Sequence, residues 1–351
     1  MYGSARSRAP LARARGAAGS TLAGVLLLAG CSAPDARDAQ DGAGPEVRQR
    51  PRSVVPYWVD PRGNAARQAR SDAQDGESAR ARELRKIAGQ PVADWLGPAD
   101  PRGHAARVTG AATAADREAL LVLYNVPHRD CGQYSKGGAE NAAAYRAWLD
   151  EVAEGIGSRA ATVIVEPDAL AHTVSGACAA PKLRAERYRL LADAVTRLKR
   201  LPRTTVYLDA GNPDWVRDPG ALAGPLTRAG IEKADGFALN VSNFQTTASN
   251  VAHGKRLSAK VGGKHFVVDT SRNGNGPLRG GEESWCNPPG RALGEPPTTR
   301  TAHDLVDAYL WIKRPGESDG ECRGGPKAGT WWPEYALELA RNTDEQDGHR
   351  S

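Results

Sequence analysis

Aromatic and sulfur-bearing residues are scarce in this 351-residue chain: three phenylalanines, one methionine and five cysteines stand against 39 glycines. After residue 31 no run approaches the ~20 apolar residues of a spanning helix, which excludes a polytopic membrane protein. There is no H-E-x-x-H, no G-x-S-x-G and no G-x-x-x-x-G-K-[ST], and the seven histidines are scattered. Zinc hydrolysis, serine acyl transfer and P-loop phosphate chemistry therefore lack their parts. Gly274-Asn275-Gly276-Pro277 is a turn, not a nucleotide cradle. Acidic residues are absent from the first thirty positions, which hold Arg6, Arg8, Arg13 and Arg15; setting that stretch aside lowers the formal charge from +6 to +2. A near-neutral body rich in Arg over Lys reads as codon bias, and nucleic acid is excluded as a partner. What is present, 40% hydrophobic and 25% charged positions, is enough for a globular core and excludes a wholly disordered chain.

The four arginines, the apolar run Thr21 to Ala29 and Leu28-Ala29-Gly30-Cys31 are the charged, greasy and small-residue zones of an export signal. The last four residues resemble the lipobox of bacterial lipoproteins, with an ordinary secretory signal as the alternative. Residues 1–30 are thus expected to be removed and Cys31 lipidated, a membrane attachment made only through buried methylenes at ~0.8 kcal/mol each. Residues 32–54 read as a flexible stalk. A catalytic domain is expected over 55–345, with 346–351 as a tail. The remaining Cys131, Cys178, Cys286 and Cys322 form an even set in an exported, oxidising setting. Two disulfides follow, and three pairings are open. None of the four has C-x-x-C spacing, so a zinc or redox motif is a poor reading.

From about residue 80 to 340, short apolar runs alternate with helical patterns, the rhythm of a parallel sheet or barrel. Strands are expected at 120–126, 162–166, 204–208, 236–239, 265–268 and 307–312. Helices are expected where Tyr145, Trp148, Leu149, Val152 and Ile156 recur at three- and four-residue steps, and over 181–199. Acids stand where these strands stop: Asp130, Glu166 and Asp168, Asp209, Asp269, then Glu317 and Asp319. At the C-terminal ends of parallel barrel strands such acids converge on one mouth. Paired carboxylates suit cleavage of a glycosidic bond, one acid protonated near neutral pH and one ionised, with flat aromatic platforms for sugar rings. Trp95, Trp215, Trp285, Trp311, Trp331 and Trp332 are the candidates, with Trp215 and Trp285 favoured because they stand beside acids in loops near strand ends.

Seven segments in order carry a resemblance: Leu123 to Gly132, Val165 to Leu170, Tyr207 to Gly211, Asn240 to Phe244, Val268 to Gly274, Trp285 to Asn287, and Trp311 to Lys313 with Pro315 to Gly320. They resemble glycoside hydrolase family 6, the inverting cellulases. The resemblance implies an α/β fold, a single-domain distorted (β/α) barrel with fewer than eight parallel strands. It implies hydrolysis of β-1,4-glucan with inversion, without cofactor or metal, by an expected monomer acting on cellulose or another β-1,4-glucan outside the cell. Asp168 would be the general acid and Asp130 its pKa-raising neighbour, with Tyr124 against the sugar, Ser135 on the attacking water and Asp319 as candidate base. Asp209, Asn240, Lys313 and Glu317 would contact substrate, and Trp95, Trp215 and Trp285 would stack on sugars. The family's disulfides would pair Cys131 with Cys178 and Cys286 with Cys322. One departure stands out: Asn212 occupies the place of a histidine. The short stretch from Asp319 to the final helix argues for an open cleft and an endo-acting enzyme. The alternatives are exo action, or a weakened surface polysaccharide-binding lipoprotein.

Overall fold

The computed structural model describes residues 55–176, 180–281 and 283–350. The export signal, Cys31, the stalk and Cys178 lie outside the described residues. Among the described residues, seven strands are ordered in one sheet as they follow in the chain: β1 (Asp94–Leu96), β2 (Ala119–Leu123), β3 (Ala161–Val165), β4 (Thr204–Asp209), β5 (Gly236–Leu239), β6 (His265–Asp269) and β7 (Val306–Leu310). Every neighbouring pair is parallel. Between the edges, Val92 forms a single parallel bridge with Trp311, and the Ala93 N–H donates to the Trp311 carbonyl at 3.0 Å. One bridge takes the place of an eighth strand's ladder, which gives the distorted barrel its fewer than eight strands.

β2 and β3 are buried along their whole length, which is why they read as unbroken apolar runs: both faces are covered. Leu121, Leu123, Val163, Val165, Val206, Leu208 and Phe237 face the outer core and its helices. Leu120, Val122, Ile164, Tyr207, Ala238, Val267, Ala308 and Leu310 fill the barrel interior, with Trp95 and Tyr124 packed against them. Each buried Leu, Ile or Val contributes about 1.5 to 3 kcal/mol relative to exposure. The period of two then determines what caps the interior. Counting two residues on from Ile164, Tyr207, Ala238 and Val267 gives Glu166, Asp209, Asn240 and Asp269, all almost fully buried.

The strand over 120–126 is shorter than expected, because after Leu123 the backbone leaves the ladder and the Asn125 and Val126 N–H groups turn to the Glu166 carboxylate. Helices Ala142–Ile156 and Pro181–Leu198 match the expected patterns. Unforeseen are β1, only three residues long, and the helices Asn64–Gln74, Ser78–Ala88, Pro101–Ala114 and Thr247–Ser258. The last helix, Pro333–Arg350, continues through the segment expected as a tail. No helix among the described residues is long and apolar enough to cross a membrane.

Candidate active site

A cavity of about 710 Å³ opens at the C-terminal ends of the strands, lined among others by Trp95, Tyr124, Asp130, Ser135, Asp168, Trp215, Trp285, Lys313 and Asp319. The backbone that presents these groups is strained. Glu166, Asp168, His128, Asp130, Cys131, Asn240 and Ser242 all have positive φ, a conformation that costs side-chain-bearing residues of order 1–3 kcal/mol each and clusters at functional sites.

Asp168 follows β3 with φ 70° at the head of the helix Ala169–Ser175, yet its carboxyl does not cap that helix and faces the cavity instead. Its backbone N–H donates to Asp209 Oδ1 at 3.3 Å. Asp209 ends β4 and also accepts the Gly211 N–H at 2.9 Å. Gly211 has φ 69°, and a Cβ there would stand 3.0 Å from that of Ala171, so only glycine brings this donor in without strain. Desolvation first, then the Asp209 carboxylate, push Asp168 up to about 7, partly offset by His172 and Lys313. Burial likewise raises Asp209, against the N–H groups of Gly211 and Asp168 that favour its charge. The donors aimed at Asp209 leave the shared proton on Asp168.

Asp130 lies in the loop after β2. Its Oδ2 accepts the Ser135 N–H at 2.7 Å, while Arg129 ties the loop down by donating to the carbonyls of Ser135 and Tyr124. Asp130, Asp168 and His172 each bring a potential ligand atom within 4.8 Å of the others. These are the residues that could hold a cation here, and the same closeness serves proton exchange between acids. Tyr124 packs edge-on against Trp95, ring centroids 5.1 Å apart. Burial, Asp168 and Asp130 push its phenol well above the usual tyrosine value, so it stays a neutral hydroxyl.

Asp319 is different in kind. Arg272 Nη1 lies 2.9 Å from Oδ2 and Lys313 Nζ 3.3 Å from Oδ1, and the Asn287 N–H donates to Oδ2. Burial alone would raise its carboxyl, but Arg272 and Lys313 outweigh that and hold it below the ordinary carboxylate range. Asn287 is held in turn by the Cys286–Cys322 disulfide and by donating to the Gly320 carbonyl. Cys131 is also disulfide-bonded; its expected partner, Cys178, is outside the described residues.

The ring of acids is smaller than the strand ends suggested. Glu166 and Asp269 spend their oxygens on backbone N–H groups, of Asn125 and Val126 in one case and of Ser242, Ser271 and Lys313 in the other. Three expected substrate contacts also stand back from the cavity. Asp209 is 2% exposed and holds up the backbone of Asp168. Asn240 is fully buried, its amide donating to the Asp269 carbonyl at 2.8 Å and accepting from Gln245 N–H. Glu317 is bound by Arg314 and Asn64 beside a separate hollow of about 200 Å³. Asn212, in contrast, lines the cavity, and its Oδ1 accepts the N–H groups of Asp214 and Trp215 at 3.1 Å, an Asx turn that sets the Trp215 ring.

Sequence reasoning passed over three groups. His172 stands one helical turn beyond Asp168, a spacing that could have revealed it. Arg272 lies within a quoted segment but received no role. Tyr134 donates its hydroxyl to Glu283 at 2.7 Å and meets Trp285 edge-on at 6.0 Å, joining the loop after β2 to the one between β6 and β7.

A parallel barrel that holds one carboxyl protonated near neutral pH, among ionised acids and open tryptophans, defines a site of the glycoside hydrolase class. The sequence profile of the glycosyl hydrolases family 6 matches residues 52–343, and the chain belongs to that family. It is similar to endoglucanase A of Cellulomonas fimi, 45% identical over 83% of this chain and 62% of that protein, and so spans less than two thirds of that relative's length. Endoglucanase 1 of Streptomyces halstedii is 43% identical over 81% of this chain and 88% of the relative. Among solved structures, the endoglucanase Cel6 from Mycobacterium tuberculosis, in complex with methyl-cellobiosyl-4-deoxy-4-thio-beta-D-cellobioside, superposes with a TM-score of 0.77 at 48% identity, covering 82% of this chain and 97% of that one.

Proposed function

We propose that this protein hydrolyses β-1,4-glucosidic bonds of cellulose or a related β-glucan, within the chain and with inversion at the anomeric carbon. The observation that carries the reading is the Asp168 carboxyl, pushed up to about 7 in a cavity that Trp95, Trp215 and Trp285 also line. Asp168 gives its proton to the departing glucosyl oxygen as the C1–O bond breaks, and a water held near Ser135 and Asp130 forms the new bond from the opposite face. Inverting sites keep roughly 6.5 to 9.5 Å between acid and base so that this water fits. The short connection between Asp319 and the helix at Pro333 leaves little chain to roof the cavity, which supports cutting within the polymer.

Nuclear magnetic resonance of freshly cleaved cellohexaose tests the stereochemistry: the α-anomer appears first, and a β product would refute inversion. For carboxymethylcellulose, viscosity should fall well ahead of reducing-sugar release, whereas cellobiose as sole product would refute endo action. The lipobox-like Leu28 to Cys31 supports export and a lipid tether, tested by palmitate labelling that is lost in Cys31→Ala.

A further inference from the structure

His172 projects into the cavity from the helix Ala169–Ser175 and is 2% exposed. Neither ring nitrogen makes an aligned hydrogen bond, an expensive condition for a buried imidazole unless the group has a task. Its Nε2 lies 3.4 Å from Asp130 Oδ1, and one atom each of His172, Asp130 and Asp168 falls within 4.8 Å of the others. Trp215 holds the imidazole edge-on, ring centroids 4.8 Å apart, so its plane is fixed by packing.

We infer that His172 is a proton relay between the two acids, taking the catalytic proton from the Asp130 carboxyl and restoring it to Asp168 after each cleavage. The inference rests on the hydrolytic reading above and deepens it. In one turnover Asp168 loses its proton to the leaving oxygen, the water loses one to Asp130, and the water oxygen bonds to C1. The enzyme then has a charged acid and a protonated neighbour. The imidazole passes one proton to Asp168 and takes one from Asp130, in either order, which resets both groups with no net change. Asp319 is poorly suited to that service, because Arg272 and Lys313 stabilise its charged form. The ionisable groups around the imidazole are Asp130 from the loop after β2 and Asp168 at the head of its own helix, with Asp209 at the end of β4 behind Asp168. From the helix Pro181–Leu198 the Arg187 guanidinium donates to the Ala169 carbonyl, and the loop after β4 contributes the uncharged Trp215 ring.

The test compares wild type with His172→Asn and His172→Gln on cellohexaose, recording kcat and KM from pH 4.5 to 9 together with melting temperature. In both variants kcat should fall roughly tenfold or more with KM within about twofold. The shape of the kcat profile should change, while the alkaline limb set by Asp168 stays. Loss of melting temperature with an unchanged shape of the kcat profile would assign His172 a merely structural role and overturn the inference, as would wild-type kcat in either variant. Should the Asn variant not fold, the Gln variant decides. An inactive wild type would instead defeat the hydrolytic reading itself.

Discussion

Asp168 and Asp209 are joined through the backbone: the Asp168 N–H donates to Asp209 Oδ1 at 3.3 Å, so the carboxylate that raises the acid's pKa also fixes where that acid stands. Asp168→Asn removes the proton donor and should lower turnover on carboxymethylcellulose by about 10²- to 10⁴-fold. Stability should move the other way. The folded Asp168 is raised to about 7, so the wild type loses stability as pH climbs from the unfolded value of about 4 through 7. Asparagine feels no such loss. The variant's melting temperature relative to wild type should therefore rise between pH 4 and pH 8, measured by calorimetry.

Asp209→Asn probes the same pair from behind. Without the neighbouring negative charge, Asp168 gives up its proton at a lower pH, and the alkaline limb of kcat should move down by about one pH unit. A limb that stays near 7 would mean that desolvation, with Asp130, sets the value without Asp209. Because Asp209 does not line the cavity, KM for cellohexaose should change much less than the pH profile.

The ion pair of Arg272 with Asp319 is buried, with Arg272 fully enclosed. Arg272→Leu leaves the buried carboxylate with only Lys313 and the Asn287 N–H and should destabilise by about 3 to 5 kcal/mol. Asp319 has a depressed folded pKa, so the pair's stabilisation is present above the unfolded value and is lost as pH falls through the folded one. Urea unfolding should accordingly show a large penalty at pH 7 that shrinks only below about pH 4.

The parallel barrel was readable because its strands are buried on both faces and so appear as plain apolar runs; Leu120 to Leu123 and Ala161 to Val165 could hardly be anything else. β1 was not, since three residues carry no periodicity and Trp95 is placed by its indole bond to the Ile312 carbonyl. Asp130, Asp168 and Asp319 were found as acids at strand ends. That rule sees chain position and not hydrogen bonds, so it drew in Glu166 and Asp269, whose oxygens serve the backbone. Asn240 is a similar case, because its inward parity matches that of a cavity residue while its amide is consumed by Asp269 and Gln245. His172 was missed for the converse reason: a helix one turn past the acid brings it back to the site.

The Cys286–Cys322 bridge spans 36 residues and flanks the Asn287 N–H that donates to Asp319. In the chain-entropy picture a loop of this length contributes about 3 to 4 kcal/mol. Its second effect is local: Asn287 also donates to the carbonyl of Gly320 and accepts the N–H of Asp319, so a freed strand of loop would release the backbone that carries Asp319. Replacing both cysteines by serine should lower the melting temperature by several degrees and reduce kcat at temperatures well below melting. A double variant with reduced stability but unchanged kcat at 20 °C would show that the hydrogen bonds around Asn287 hold Asp319 in place without the covalent link.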